Sequence, residues 1–322
     1  MVHMYVASCV SDGGVWHYRL EDGMPVFCEK TPAQNPMYLF PTEDRMYAVL
    51  RFPFPDKISG LISWKIQPDG SLSEPSEILS SQGQAGCHLT VCGEQVFFTN
   101  YTSGSLIRLP DGKLITLEGS GPHPTRQEKA HTHCVIPTPD GLLAVADLGM
   151  DQVLLFDHDL NLISSASVPA GHGARHLCFS PDGKYLYCVN ELTSTVSVFS
   201  YAPGQLTLLQ TVDGLPADFA GESTAAAIRT DGHMLYTSNR GHDSVSLFRV
   251  NPDGCLTGLG TVPAGGESPR DMNFHEDLLV CTNELTDNVT FFQRQGETLI
   301  RQDTELSIPH PLCAVFTERS AQ

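Results

Sequence analysis

The sequence predicts an all-β fold, a seven-bladed β-propeller with four-stranded antiparallel blades. A unit of three short β-type runs, joined by tight turns, recurs along the chain at a spacing of about 40 to 50 residues. Seven such units fit a chain of 322 residues. Sheets that repeat at this spacing bury their faces against their neighbours in a ring, which is the propeller architecture.

The repeating unit is clearest at residues 171–201, GHGARHLCFSPDGKYLYCVNELTSTVSVFSY. A short apolar run at 176–179 is followed by Ser-Pro-Asp-Gly, in which proline and glycine supply the backbone angles of a tight turn. Further runs rich in β-forming residues follow at 185–189 and 195–201. Because none of these runs has a helical apolar period, the unit is predicted to be a β-meander.

One position fixes the repeat, namely the residue that ends the second strand of each unit. The residues at this position are Ser8, Leu50, Asn100, Asp147, Asn190, Asn239 and Asn283. Since the repeat spans the chain without an interrupting linker, we predict one propeller domain over residues 1–322.

The two ends of the chain are predicted to share a blade. Residues 4–9 and 14–19 are interpreted as the inner part of the first blade, and the run at 312–316 has no blade of its own. A closed propeller removes its free edge by adding the last strand to the first sheet. We therefore predict closure between the 312–316 strand and the first blade.

Composition narrows the possible partners and the compartment. The formal net charge is −18, which argues against nucleic-acid binding and against docking on anionic membranes. The sequence shows no secretion signal and no apolar stretch long enough to span a membrane. The ten cysteines are scattered without a CxxC pair, which argues against a zinc site. We expect a reduced cytoplasmic protein, and a monomer because a closed ring requires no partner.

Four polar residues occupy strand ends that are predicted to converge on the mouth of the central channel. His133 and Arg175 precede first strands, whereas Glu191 and Arg240 follow second strands. The connections at 116–133 and 211–223 are longer than minimal turns, and long loops on a rigid scaffold are frequent carriers of binding residues.

These residues carry a resemblance to a known family. The run SPDGKYLYCVNE, the Gly-x-Arg-His before it, TSNR in the next unit and HTH after a long loop resemble the lactonase propeller family. That family contains propeller-type bacterial 6-phosphogluconolactonases and fungal 3-carboxy-cis,cis-muconate lactonizing enzymes. The resemblance covers essentially the whole chain and is strongest over 130–295.

The resemblance implies a site of one histidine, two arginines and one glutamate, which falls on His133, Arg175, Glu191 and Arg240. His131 and Arg270 lie where this site could extend, and the HTHC run leaves the choice between His131 and His133 open. The implied substrate is a small anionic sugar lactone, with 6-phosphogluconolactone as the first candidate. Neither a metal nor a cofactor is expected.

The chemistry of these side chains suits such a substrate. Guanidinium groups hold carboxylates and phosphates through charge-assisted hydrogen bonds, and a carboxylate beside arginines stays ionised. We hypothesise that Glu191 activates water, that His133 and Arg175 hold the carbonyl, and that Arg240 holds the anionic tail.

Other functions remain open at this point. A carboxymuconate-type lactonizing cycloisomerase would use nearly the same residues. A non-catalytic interaction or ligand-binding propeller is less favoured, because neither Trp16 nor Trp64 is followed by the aspartate typical of WD repeats. The sequence Asn-Glu-Leu-Thr occurs at both Glu191 and Glu284, so this motif alone does not identify a catalytic glutamate.

Overall fold

The computed structural model describes residues 1–319 and contains the predicted ring of seven antiparallel sheets. The first three blades in chain order are built from the following strands: in blade 1, β1 (Val2–Ser8), β2 (Gly14–Glu21) and β3 (Met24–Pro32); in blade 2, β4 (Pro36–Pro41), β5 (Arg45–Leu50), β6 (Ile58–Ile66), β7 (Leu72–Ser73) and β8 (Leu79–Gln84); in blade 3, β9 (Gly86–Cys92), β10 (Gln95–Asn100), β11 (Ser105–Leu109) and β12 (Lys113–Thr116).

The remaining blades follow the same four-strand pattern. Their strands are, in blade 4, β13 (Thr132–Pro137), β14 (Leu143–Asp147), β15 (Gln152–Phe156) and β16 (Leu162–Ser167); in blade 5, β17 (Ala174–Phe179), β18 (Tyr185–Asn190), β19 (Thr195–Ala202) and β20 (Gln205–Asp213); in blade 6, β21 (Thr224–Thr230), β22 (Met234–Arg240), β23 (Ser244–Val250) and β24 (Leu256–Pro263); in blade 7, β25 (Pro269–His275), β26 (Leu278–Asn283), β27 (Asn288–Gln295) and β28 (Thr298–Ser307).

The last strand, β29 (Pro311–Glu318), pairs antiparallel with β1 and completes blade 1. This confirms the predicted closure of the ring. One detail differs from the sequence-based interpretation: β29 is the innermost strand of blade 1, so the two N-terminal runs form its second and third strands. The ring is thus closed by hydrogen bonds between the two ends of the chain, which leaves no free sheet edge at that point in the described chain.

Blade 2 departs from the pattern at its outer edge. A 3₁₀ turn at Pro55–Lys57 leads into β6. The outermost strand is split in two, because β7 pairs with one end of β6 and β8 pairs with the other. The sheet therefore contains five strands in four positions.

Asparagine recurs at the end of second strands because its side chain ties the strand to the next one. The amide of Asn190 donates hydrogen bonds to Thr195 Oγ1 and Ser197 Oγ, both at 2.9 Å. Asn239 makes the equivalent bonds to Ser244 and Ser246. These asparagines are fully buried, so their polar groups require such partners. The repeat position read from the sequence is therefore a turn-stabilising position.

The core consists of seven apolar clusters, each packed mainly between two neighbouring blades of the described chain. Between blades 4 and 5, for example, Ala144 and Leu155 pack with Leu186 and Phe199. Burial of this kind provides the main favourable free energy of folding. Because every blade is packed on both faces, the strand ends that surround the channel are held on a rigid frame.

Candidate functional site

A β-bulge near the start of the innermost strand recurs around the ring and turns side chains towards one mouth of the channel. The register between the innermost and second strands shifts in all seven described blades, and in six of them a single residue is left unpaired. Bulges commonly redirect a side chain beside a functional site. The six residues at this position, in blades 1 to 5 and 7, are Leu312, Met37, Cys87, His133, Arg175 and Arg270.

A second ring of side chains comes from the residue that follows the end-of-strand position in each second strand. In blades 1 to 7 of the described chain these residues are, in order, Cys9, Arg51, Tyr101, Leu148, Glu191, Arg240 and Glu284. The two rings together surround a cavity of about 210 Å³. Its walls are formed by Met37, Arg51, Ala85, Cys87, Tyr101, Arg126, His133, Glu191, Thr224, Arg240 and Arg270.

Glu191 is the centre of the charged network in this cavity, and only 4 % of it is exposed. Arg175 Nε donates to its Oε2 atom at 2.8 Å, and Arg240 Nη2 lies 3.2 Å from the same oxygen. Arg126 Nη2 donates to the other oxygen, Oε1. Both carboxylate oxygens are therefore occupied by guanidinium groups from three different segments of the chain.

The charges around Glu191 determine its protonation state. Burial alone would raise the pKa of Glu191, but the positive charges of Arg240 and Arg175 outweigh it and hold that pKa well below its usual value. The carboxylate is therefore ionised at neutral pH. A carboxylate with such a low pKa is also a weak base, so it can accept a proton only after some of this positive charge is withdrawn or neutralised.

His133 lies beside Glu191, with its Nε2 atom 4.0 Å from Glu191 Oε2. Burial, together with the charge of Arg175, lowers the pKa of His133 well below its usual value, so the ring is neutral at pH 7. Its Nδ1 atom is buried and has no hydrogen-bond partner within residues 1–319. A buried polar atom without a partner at a cavity wall is a feature that a bound ligand would satisfy.

The two arginines expected in the site occupy different places. Arg175 lies behind Glu191 and is not part of the cavity wall; its Nη1 atom donates to the carbonyl of Ala226 at 2.6 Å. Burial lowers the pKa of Arg175 to about 9, which leaves it charged at neutral pH. Arg240 does line the cavity, and it also donates to the carbonyls of Thr224 and Ala225.

The structure separates the two histidines of the HTHC run. His131 stacks on Tyr101 with ring centroids 4.5 Å apart and donates from Nδ1 to the Tyr101 carbonyl at 2.9 Å. Its Nε2 atom lies 3.2 Å from Glu128 Oε1. His131 therefore supports the wall from behind, whereas His133 faces the cavity.

Arg270 does line the cavity, in the bulge of blade 7. Its Nη1 atom lies 3.3 Å from Glu284 Oε2, and His310 Nε2 lies 3.2 Å from Glu284 Oε1. Burial would raise the pKa of Glu284, but the charge of Arg270 reverses this and lowers it. The second Asn-Glu-Leu-Thr copy thus forms an ion-pair cluster of its own at the same mouth.

Three charged or aromatic residues of the cavity wall, Arg51, Tyr101 and Arg126, were not identified from the sequence. Arg126 comes from the 116–133 connection. The length of that loop predicted that it carries binding residues, but not which of its residues lines the cavity. Its Nη2 atom also donates to the Tyr101 hydroxyl at 3.2 Å. Tyr101 and Arg51 occupy the same repeat position as Glu191 and Arg240, so aligning the units at that position would have revealed them.

The cavity at this mouth is not the largest in the molecule. A cleft of about 480 Å³ lies at the periphery between blades 5 and 6, but turn residues such as Pro181, Gly232 and Pro252 form much of it. The opposite end of the channel holds a cavity of about 430 Å³ with a mainly apolar wall, including Leu39, Ile228 and Phe316. Neither combines a buried carboxylate with several cations, so the mouth with Glu191 is the strongest candidate site.

Within residues 1–319, no helix has the length and apolar character needed to cross a membrane. The same span contains no group of three or more histidine, cysteine, aspartate or glutamate residues placed to hold a metal ion.

Comparison with known proteins agrees with this picture. The family model described as lactonase, 7-bladed beta-propeller, matches residues 3–316. An uncharacterized protein from Lactococcus lactis is 36% identical over 262 residues, which cover 74% of this chain and 76% of the relative.

Two solved structures share the architecture over nearly their full lengths. A putative 6-phosphogluconolactonase from Bacteroides fragilis has a TM-score of 0.89 at 29% identity and covers 98% of both chains. A periplasmic gluconolactonase from Pseudomonas aeruginosa has a TM-score of 0.88 at 26% identity and covers 99% of both.

Proposed function

Since the chain belongs to the lactonase family of seven-bladed β-propellers, we propose that it hydrolyses an acidic sugar lactone, with 6-phosphogluconolactone as the preferred substrate. The observation that carries the proposal is the buried, ionised carboxylate of Glu191 beside the neutral ring of His133 in a cavity rich in arginine. The structural neighbours described as a putative 6-phosphogluconolactonase and a gluconolactonase support a sugar lactone as the substrate, and the first of them supports the phosphorylated one.

The charge of the cavity favours an anionic substrate. Four arginines form part of its wall and Arg175 lies directly behind it, whereas Glu191 and Glu284 are the carboxylates paired with four of these five arginines. The cavity wall is therefore positive on a chain whose formal net charge is −18. A local positive field draws a small anion to this mouth and away from the rest of the surface.

In the proposed mechanism, Glu191 removes a proton from the attacking water. The water oxygen bonds to the lactone carbonyl carbon, and the displaced proton goes to Glu191. The bond between that carbon and the ring oxygen then breaks, and Glu191 returns the proton to the ring oxygen, which leaves as a hydroxyl group. His133 donates a hydrogen bond to the carbonyl oxygen while negative charge develops on it.

For this step, Arg126 has to leave the Oε1 atom of Glu191. Arg126 is the member of the network with the most exposed side chain, at 35 %, and it comes from a loop, so it is the partner that moves most easily. An anionic substrate offers it another acceptor. Withdrawal of one guanidinium group raises the pKa of Glu191 towards the range of a useful base.

The two arginines next to Glu191 then have different roles in the proposal. Arg175 uses its Nε and Nη1 atoms on Glu191 and Ala226, so it positions the base rather than holding the carbonyl. Arg240 uses Nε and Nη2 for its protein contacts and lines the cavity, so its Nη1 atom remains for the substrate oxygen.

We also propose that the protein acts as a cytoplasmic monomer. Pairing of β29 with β1 closes the ring within a single chain, and all ten cysteines are free thiols. Light scattering tests the oligomeric state: a monomer gives a mass of 35.1 kDa, and twice that mass would contradict the proposed monomer.

The experiment that tests the proposed function is hydrolysis of freshly generated 6-phosphogluconolactone in water enriched in ¹⁸O. We expect the rate to exceed the spontaneous rate, with one labelled oxygen in the product carboxylate. Glu191→Gln protein at the same concentration is the control for contaminating activity. Two results would contradict the proposal that the protein is a lactone hydrolase. The first is a folded protein that hydrolyses no acidic lactone, and the second is conversion of a carboxymuconate to its lactone without uptake of label.

A further inference from the structure

Five arginines surround the candidate cavity, and one of them differs from the rest. Within residues 1–319, four of these arginines are paired with carboxylates, and Arg51 is not; the paired ones are Arg126, Arg175, Arg240 and Arg270. Arg51 is thus the cavity cation that has no carboxylate of the described chain within 4 Å.

The backbone of Arg51 is fixed although its guanidinium group is not paired. Its N–H donates to the carbonyl of Asn35 at 3.1 Å, and its carbonyl accepts a hydrogen bond from Ser59 Oγ at 2.9 Å. The guanidinium carbon lies 5.5 Å from the ring centroid of Phe52. The Nε atom is buried and has no hydrogen-bond partner in the described chain. A charged donor held in this way is prepared for an acceptor from outside the protein.

Arg51 lies across the mouth from Glu191. It follows β5 of blade 2, whereas Glu191 follows β18 of blade 5. Two blades of a seven-bladed ring cannot be more than three positions apart, and these are three apart. A ligand whose reacting carbon is beside Glu191 therefore presents its far end to Arg51.

We propose that Arg51 binds the remote anionic group of the lactone, a phosphate or a carboxylate, and thereby sets the preference for charged over neutral lactones. This inference rests on the proposed function. It replaces the sequence-based expectation that Arg240 holds the anionic tail, because Arg240 is already engaged by Glu191 and two backbone carbonyls.

The wall between Arg51 and the reacting centre suits the passage of an anion. Met37, Ala85 and Cys87 contribute to this part of the cavity. Burial raises the pKa of the Cys87 thiol to about 11, so it is neutral at pH 7 and does not repel a phosphate. The anionic group consequently meets Arg51 without a competing negative charge from these three side chains.

The kinetic test compares two lactones that differ only in the remote anion, 6-phosphogluconolactone and gluconolactone. In Arg51→Gln, we expect kcat/KM for the phosphorylated lactone to fall about 100-fold, and for the neutral lactone to fall no more than about 3-fold. Arg51→Lys should recover part of the preference, because it keeps the charge but loses the fork-shaped geometry. Arg45→Gln is the matched control, since Arg45 lies at the other end of the same strand and hydrogen-bonds to Ser63.

A binding measurement separates failure of this inference from failure of the proposed function. Titration calorimetry with 6-phosphogluconate and gluconate should show tighter binding of the phosphorylated compound by the wild type, and this difference should be largely lost in Arg51→Gln. If the protein hydrolyses no lactone but shows this pattern, the proposed function fails and anion binding by Arg51 stands.

The opposite outcome overturns the inference alone. In that outcome the protein hydrolyses lactones, but Arg51→Gln either lowers kcat/KM equally for both lactones or leaves kcat/KM unchanged for both. A wild type that binds the two compounds equally also overturns it. Thermal unfolding of each variant shows whether the protein is folded; if Arg51→Gln does not fold, the Arg51→Lys variant provides the comparison.

Discussion

The two Asn-Glu-Leu-Thr segments, in blades 5 and 7, have the same sequence but different surroundings. Each glutamate follows a second strand, and each is paired with the bulge arginine of its own blade, at 2.8 Å for Glu191 and 3.3 Å for Glu284. Glu191 also forms ion pairs with Arg240 and Arg126. Glu284 instead contacts His310 and accepts a hydrogen bond from Ser268 Oγ.

The difference arises from what the neighbouring segments contribute. Blade 6, next to blade 5, carries Arg240 directly after its repeat position, and the loop before blade 4 contributes Arg126. The glutamate in blade 7 instead meets the turn before β29. The repeat therefore places both carboxylates at the same mouth, but the adjoining residues determine which of them can perform chemistry. We propose that Glu191 is the catalytic member of the pair.

The largest expected difference between the two copies is in catalysis. Replacing the carboxylate in Glu191→Gln removes the proposed base, and kcat/KM for 6-phosphogluconolactone should fall about 1,000-fold. In Glu284→Gln it should fall less than about 5-fold, because that side chain pairs at the rim. Initial rates above the spontaneous hydrolysis rate measure both. Equal losses in the two variants would remove the distinction.

Stability should differ in the same direction. Arg175→Met removes one of the positive charges that offset the buried carboxylate of Glu191, which should lower the free energy of unfolding by about 3–5 kcal/mol. Arg270→Met breaks the more exposed pair with Glu284 and should cost about 1 kcal/mol. Urea unfolding of both variants beside the wild type makes the comparison. A larger loss in Arg270→Met would show that the two clusters have been ranked incorrectly.

The acid dependence of stability provides a third comparison. The folded-state pKa of Glu191 lies well below its unfolded value, so its stabilising contribution is complete above the unfolded pKa and is lost as the pH falls towards the folded one. Below about pH 4.5, one such group contributes a slope of up to about 1.4 kcal/mol per pH unit.

The slope from Glu191 should be absent in Glu191→Gln, whose stability should change less with pH in that range than that of the wild type. Urea midpoints measured between pH 5 and pH 3 test this. The same pH dependence in the variant and the wild type would mean that Glu191 has an ordinary pKa.

The smallest expected effect concerns the third guanidinium group on Glu191. Arg126→Gln removes one positive charge from Oε1, so the pKa of Glu191 should rise and the acid limb of kcat/KM should move up by about one pH unit. Arg108→Gln is a suitable control, because Arg108 pairs with Asp111 and Asp159 outside the cavity. An acid limb that moves to lower pH in Arg126→Gln would contradict the assigned pairing.

The fold was largely predictable because its repeat is local. The turn Ser-Pro-Asp-Gly and the asparagine that ends β18 are recognisable within one unit, and each unit repeats the same information. The innermost position of β29 was not predicted, although the alignment of Ser8 with the ends of the other second strands implies that another strand lies inside β1.

The site was predictable only in part because its rings combine residues distant in the chain. His133, Glu191 and Arg240 could be placed on the mouth from their strand ends, and the structure brings them together. The position of Arg175 behind Glu191 depends on a bulge, and the reach of Arg126 depends on a loop conformation. The bulge recurs around the ring but interrupts strand alternation, and the loop belongs to no repeat, so neither placement could be derived from strand alternation.

The most direct test of the proposed site is a crystal structure of the protein with bound 6-phosphogluconate. We expect the carboxylate of the product beside His133 and Glu191, with Arg126 drawn away from Oε1 and the phosphate on Arg51. A product bound in the cavity at the opposite end of the channel, or centred on Glu284 with Glu191 still closed by its three arginines, would contradict it.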